Sequence, residues 1–250
     1  MHEITAQEEE YAFPYHYVAQ FQNGHFRQHF VDTWGINYAL TIEFILSRVR
    51  ALRPGSVIDI GCGDGRLTRE LSLGTGVGSI TGVDFSARAI KLAQAMNADH
   101  PEITFLATDI TQPHTCGPFD LGVLMEVFEH IPPADCEGFL AGVRRLLKPG
   151  STLLLTVPHA NNPLEYKHFQ HFTSKSLLRY LETGFQIQEV MPFEKRAFSR
   201  EFLEGLLCNR LFVLNEPRLL AAIYRFHRRR LFHCHSEDEC QRLFVEARVV

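Results

Sequence analysis

Apolar positions along the chain fall into helical stripes and short continuous runs, and the two alternate. Tyr38, Ile42, Ile45, Leu46 and Val49 recur at intervals of three and four, the spacing of one helix face, and Arg53-Pro54-Gly55 ends that helix. Then come "SVIDI" (56–60), "SITGVD" (79–84), "ITFLATD" (103–109), "DLGVLMEV" (120–127) and "STLLLTVP" (151–158), each a strand signal. Helical segments are expected between and after them, over 64–73, 87–99, 134–147 and 174–182, with Lys148-Pro149-Gly150 and Gly184 as stops. Strands that are apolar throughout, rather than at alternate positions, suit a parallel sheet covered on both faces. Strand–helix alternation at this spacing predicts an α/β fold: a doubly wound, mostly parallel seven-stranded sheet.

"FQIQEVMP" (185–192) reads as a further strand and 198–231 as a helical insertion. The closing "CQRLFVEARVV" alternates, and is expected to pair with the strand at 185–192 in the same sheet. Residues 1–50 read as helical and rich in aromatics. The expected division is an N-terminal helical lid or substrate segment, 1–52, and a core, 53–250, carrying the insertion. No internal repeat or low-complexity tract is present.

Composition narrows the classes. A chain of 250 residues with 45% apolar and 22% charged residues fills one soluble core. A net charge of −4 gives no general attraction to nucleic acid or anionic membrane, so neither partner is expected. Six cysteines, at 62, 116, 136, 208, 234 and 240, form no C-x-x-C pair and suit a reducing cytoplasm. "MHEITAQEEE" has neither the apolar core of a signal peptide nor the basic character of a transit peptide. No apolar run approaches the roughly 20 residues of a membrane span.

Candidate chemistry begins at "VIDIGCGDGRLT" (57–68), where a buried strand runs into Gly61, Gly63 and Gly65. Glycines there permit left-handed turns and a close ligand. A dinucleotide fingerprint needs glycine at position 66, where Arg66 stands, so that reading fails. Asp59 before the turn is a poor neighbour for a pyrophosphate and a good one for an ammonium group. Asp84, 19 residues after Gly65, ends the second strand of the series, where a carboxylate accepts ribose hydroxyls. Asp109 ends the third and can accept from an adenine amino group. An amino-acid tail, a ribose and an adenine describe S-adenosylmethionine.

A second cluster stands in "LMEVFEHIPP", with Glu126, Glu129 and His130 at i, i+3 and i+4. A helical turn after the strand would place them on one face. Two carboxylates and an imidazole suit a divalent cation, and oxygen-rich ligation favours Mg²⁺ or Mn²⁺. Without a metal, His130 becomes the general base, since a neutral imidazole takes a proton near pH 7.

"VIDIGCGDG", "GVDFS", "FLATDI", "FDLGVLMEVFEHI" and "LLKPGSTLLLTVP", in this order over residues 55–192, resemble the class I S-adenosylmethionine-dependent methyltransferases. The resemblance implies that Asp59, Gly61, Cys62 and Gly63 line the methionine moiety and Asp84 the ribose. It places Asp109, Ile110 and Phe85 at the adenine, and Met125 with Glu126 near the reacting centre. The Glu-x-x-Glu-His set is similar to that of the ubiquinone-biosynthesis O-methyltransferases and the small-RNA 2′-O-methyltransferases, in both of which it is associated with metal. The RNA enzymes add a histidine beyond the fifth strand. His168 and His171 stand in about that region; His159 is a third position there, also taken on the substrate side.

Tyr15, His16, Tyr17, His25 and Trp34, outside the expected sheet, are the other substrate-side candidates. The expected activity is O-methylation of a small hydroxylated molecule such as a sugar, phenol or natural-product intermediate. RNA 2′-O-methylation, N-methylation and a non-catalytic cofactor-binding subunit are the alternatives. The insertion suits an acceptor pocket or a homodimer contact. The run "RFHRRR" (225–230) is read as a solvated helix end, and "HCHSEDEC" (233–240) fits no strong zinc template.

Overall fold

The structure, a computed structural model, describes residues 20–22, 25–27, 33–207, 211 and 216–250, with side chains from residue 35 onward. Strands β3 (Ser56–Ile60), β4 (Ser79–Asp84), β5 (Thr104–Ala107), β6 (Phe119–Met125), β7 (Leu147–Pro158), β8 (Phe185–Lys195) and β9 (Cys240–Val249) form one seven-stranded sheet in the order β5-β4-β3-β6-β7-β9-β8. β9 is antiparallel to both neighbours, and the rest pair in parallel. The expected pairing of the last strand with the 185–192 strand is present, and β9 also lies against β7. The order reverses between β3 and β6, so a crevice opens there beyond the strands' carboxyl ends.

Why the strands read as unbroken apolar runs is visible in the packing. Leu121, Val123 and Met125 of β6 and Leu154 of β7 face α1 (Thr33–Leu52) and α2 (Arg66–Thr75), in a core with Ile42, Ile45, Leu46 and Val49. The alternate residues, Leu124 of β6 and Leu153, Leu155 and Val157 of β7, face α4 (Cys136–Arg145) and α5 (Ser174–Leu181). Each fully buried aliphatic side chain contributes about 1.5–3 kcal/mol, so both faces of the sheet are stabilised. α3 (Ala87–Met96) covers the β4–β5 edge through Ile90 and Ala93, which pack with Phe105 of β5, and Ser86 caps it by accepting from Ala89 N–H.

The insertion comprises α6 (Phe198–Leu207), α7 (Pro217–Phe226) and a π turn, His227–Leu231. It returns to the sheet through Phe232, which packs with Phe44 of α1, Phe193 and Phe244. Arg225, Arg228, Arg229 and Arg230 are exposed, as a solvated helix end requires, and Arg228 pairs with Glu43 at 3.1 Å.

Two elements differ from expectation. β1 (Gln20–Gln22) pairs antiparallel with β2 (His25–Arg27) in a segment read as helical. Gln-Phe-Gln and His-Phe-Arg alternate with period two around Asn23-Gly24, a strong hairpin signal that the surrounding aromatics obscured. β7 begins at Leu147, ahead of the expected stop at Lys148-Pro149-Gly150, because Leu147 pairs with Phe119 across a register shift.

Gly65 is held at φ 78° at the start of α2, and a Cβ there would lie 2.7 Å from the buried Phe105 ring. Gly65→Ala therefore combines left-handed strain with overpacking. It should lower unfolding free energy by about 2–4 kcal/mol in urea denaturation. A change below about 0.5 kcal/mol would show that the turn relaxes freely.

Candidate active site

A cavity of about 1010 Å³ opens at the β3–β6 crevice. That is the upper end of the usual range for ligand sites, about 300–1,000 Å³. Its floor is made of strand tips. β3 ends in Asp59 and Ile60, and the chain turns through Gly61 (φ 75°) and Gly63 (φ 54°). The missing Cβ of Gly61 makes room for Val127, 2.5 Å from where that atom would stand. This glycine thus serves the protein's own packing at the crevice.

Asp84, at the end of β4, is fixed by two backbone donors. Gly63 N–H donates to Oδ2 at 3.0 Å and Ser86 N–H to Oδ1 at 2.9 Å. Asp109 is exposed and accepts from Thr111 N–H and Oγ1–H at 2.9 and 2.7 Å. Ile110 is buried beside it, and Phe85 stands half-exposed at the rim. Cys62 and Met125 complete this wall. All nine residues expected around the cofactor line the one cavity.

Asp59 is 2% exposed and accepts from Thr68 Oγ1–H at 2.6 Å. Burial pushes its pKa up to about 7, the Thr68 bond opposes this, and the charges of Asp84 and Asp64 add to it. A buried carboxyl so poised is readily ionised by a cationic ligand.

Across the cavity stand Glu129, His130 and His168, the one described cluster of acidic, histidine and cysteine groups whose ligand atoms lie within 4.8 Å of one another. Glu129 and His130 come from a 3₁₀ turn, Phe128–His130, after β6. His168 comes from a loop tied to that turn by Phe169 N–H donating to Glu129 O at 2.9 Å. Glu129 is 1% exposed, and its Oε2 has no hydrogen-bond partner among the described residues. Burial and the nearby charge of Glu126 hold its carboxyl well above the usual range.

The tautomers follow from the acceptors. His130 Nδ1 lies 3.0 Å from Lys167 O, which can only accept, so Nδ1 carries the proton and Nε2 the lone pair. His171 Nδ1 likewise faces Asn162 O at 3.2 Å, so His171 Nε2 accepts from His168 Nδ1–H at 2.8 Å. His168 then keeps its lone pair on Nε2. Burial, with His130 and His171 nearby, lowers its pKa to about 3, so the ring is neutral. Imidazoles oriented through their second nitrogen are the usual companions of a bound cation. His171 stands behind His168 in this arrangement.

Glu126 departs from the expected shared face. The helical frame starts only at Phe128, and Glu126 itself has φ 56°. Its carboxylate turns instead to Arg242 of β9, whose Nε–H donates to Oε2 at 2.7 Å, and to Thr156, whose Oγ1–H donates to Oε1 at 2.9 Å. Arg242 also pairs with Glu194, which is 1% exposed, and Arg200 Nη1 lies 3.8 Å from Glu194. Arg200 Nη2–H reaches Asn37 of α1 at 3.0 Å. Burial works against the charge on Arg242, but Glu126 and Glu194 more than offset it and raise its pKa. Deleting one member of a buried charge set typically costs about 3–5 kcal/mol.

Arg242, Tyr38 and Arg66 line the cavity and were not read from sequence; the Arg66 guanidinium sits 5.2 Å from the Tyr38 ring centre. No local pattern marks Arg242, since Glu246 and Arg248 stand on the same strand. His159 is not among the lining residues. It is buried, bonds Glu237 at 2.9 Å, and accepts from Asn161 N–H. Tyr15, His16 and Tyr17 lie outside the described residues. His25 is in β2 and Trp34 in α1, and their side chains are outside them too. His233, Cys234, His235 and Cys240 form no ligand cluster among the described residues.

A family model for a methyltransferase domain matches residues 57–150. The ubiquinone biosynthesis O-methyltransferase of Pseudomonas aeruginosa is 30% identical over 170 residues, covering 65% of this chain and 69% of that protein. That of Nitrosomonas europaea is 28% identical over 151 residues, 58% of this chain; only 60% of the relative's length is spanned. Among solved structures, the N-methyltransferase NodS from Bradyrhizobium japonicum in complex with S-adenosyl-L-homocysteine superimposes with a TM-score of 0.62. It does so at 17% identity, over 99% of this chain and 98% of that one, a likeness of fold alone. On the sequence relatives, the chain belongs to the class I S-adenosylmethionine-dependent methyltransferases.

Proposed function

We propose that the chain transfers a methyl group from S-adenosylmethionine to a hydroxyl of a small acceptor, with a divalent cation held by Glu129, His130 and His168. The observation that carries this is that the acidic strand tips and the Glu–His–His cluster line the same cavity. The curated relatives named as O-methyltransferases support an oxygen acceptor.

S-adenosylmethionine, when bound, supplies an electrophilic methyl on a sulfonium. Asp84 would accept from the ribose hydroxyls, Asp109 would face the adenine amino group with Ile110 and Phe85 against the ring, and Asp59 would face the ammonium. A cation at the cluster would lower the pKa of an acceptor hydroxyl. Glu129 and the two imidazole lone pairs would hold it, and His171 with the Lys167 carbonyl would keep those lone pairs aimed. Placing the acceptor oxygen in line with the methyl is worth several orders of magnitude in rate.

Metal-stripped full chain, offered S-adenosylmethionine with phenolic and sugar hydroxyl acceptors, should form S-adenosylhomocysteine only after a divalent cation is restored. Glu129→Gln should lower kcat at least about a hundredfold while the Kd for S-adenosylhomocysteine stays within about threefold. Turnover that chelators leave untouched would remove the cation from the reading.

Asp59 gives a pH signature. Its carboxyl is mostly neutral at pH 6 and ionised at pH 8, given a pKa near 7. An ammonium-bearing ligand prefers the ionised form, so binding draws the proton off and affinity rises with pH. Calorimetry with S-adenosylhomocysteine should show Kd falling by up to about tenfold from pH 6 to 8. Asp59→Asn should flatten the profile; a wild-type Kd that is constant or rises over that range would contradict the placement of the ammonium.

A further inference from the structure

Glu126 and Glu129 both follow β6, yet only Glu129 belongs to the cluster of candidate ligands. Each Glu126 oxygen is engaged by a donor, one by Arg242 Nε–H and the other by Thr156 Oγ1–H, and the guanidinium matches its charge. The commitment extends further. Glu126, Arg242, Glu194 and Arg200 form a chain of two carboxylates and two guanidinium groups, largely or fully buried, whose charges sum to zero. Drawing Glu126 away to a cation would leave two buried guanidinium groups facing one carboxylate. The donors that remain are one carboxylate and two imidazoles. Mg²⁺ favours an octahedron of oxygens and holds its waters, whereas imidazole nitrogens suit Co²⁺, Zn²⁺ and similar ions.

We propose that Arg242 is a selectivity-determining residue: by pairing with Glu126 it leaves a two-imidazole, one-carboxylate site that takes a transition cation of the Co²⁺/Zn²⁺ class ahead of Mg²⁺. This rests on the cation site of the proposed function and replaces the oxygen-rich set, with its Mg²⁺ or Mn²⁺ preference, expected from sequence. Arg242 acts through Glu126 and is not itself a ligand.

The test is Co²⁺ titration of the tag-free full chain, followed by visible absorption and without acceptor. Wild type should bind Co²⁺ and retain it against about tenfold excess Mg²⁺. Glu126→Gln, which keeps an acceptor for Arg242, should leave the Co²⁺ Kd within about fivefold, whereas Glu129→Gln and His168→Ala should each weaken it at least about tenfold. Arg242→Gln frees Glu126, so Mg²⁺ should displace Co²⁺ at least about tenfold more readily. Should that variant fail to fold, Glu126→Gln still decides. A loss of about tenfold or more in Glu126→Gln, with an unchanged thermal unfolding midpoint, would make Glu126 a ligand and overturn the proposal. Equal competition by Mg²⁺ in wild type would overturn it too. Co²⁺ binding that ignores Glu129→Gln and His168→Ala would defeat the cation site itself, and this inference with it.

Discussion

Arg242 and Glu126 meet 116 residues apart in sequence, where the last strand passes the end of β6. Their ion pair is the link from which the charge chain behind the cavity is built. Glu194 of β8 and Arg200 of α6 continue it, and Asn37 of α1 closes it. Five elements are thereby tied to one point on the cavity wall. The chain also settles which carboxylate is left over. Glu126 accepts a hydrogen bond at both oxygens, and Glu129 keeps a buried oxygen with no partner among the described residues. Glu126 stands in a left-handed turn ahead of the 3₁₀ turn that carries Glu129, and its carboxylate is held by Arg242 and Thr156.

The rest of the site follows from the sheet. In a doubly wound sheet the order of strands reverses once, and the tips on either side of that point face a common space. Here those tips carry Asp59, Asp84 and Met125, with Asp109 just past β5. Burial then distinguishes the carboxylates: Asp84 is held by two amide donors, Asp109 is exposed, and Asp59 is buried to the point where its proton is labile near neutrality. A ligand with a cationic tail, vicinal hydroxyls and a flat base matches that order.

The parts legible in sequence are those fixed by local pattern. Continuous apolar runs marked β3, β4 and β6, and Ile42, Ile45, Leu46 and Val49 marked the buried face of α1, because covering helices require both signals. The acidic tips could be read because strand ends are visible in the chain. His168 could be placed near the Glu-His pair only roughly, and its partnership with His171 depends on a loop conformation that no periodicity encodes. Arg242 was not legible as a cavity residue, since its role depends on β9 inserting between β7 and β8. Nor was the positive φ of Glu126, a conformation that a glutamate's identity argues against. The β1–β2 hairpin shows the opposite case: its Asn-Gly signal was present and was outweighed by aromatic content.

In the proposed function one cavity holds the nucleoside against the acidic tips and a cation against Glu129, His130 and His168. A crystal grown with S-adenosylhomocysteine and Co²⁺, measured at the cobalt absorption edge, tests it most directly. A single anomalous peak is expected, bonded to Glu129 Oε and to Nε2 of His130 and His168, with Glu126 still on Arg242 and the nucleoside along Asp84 and Asp109. A nucleoside bound elsewhere, or a cobalt peak that includes Glu126 or lies away from the histidines, would contradict it.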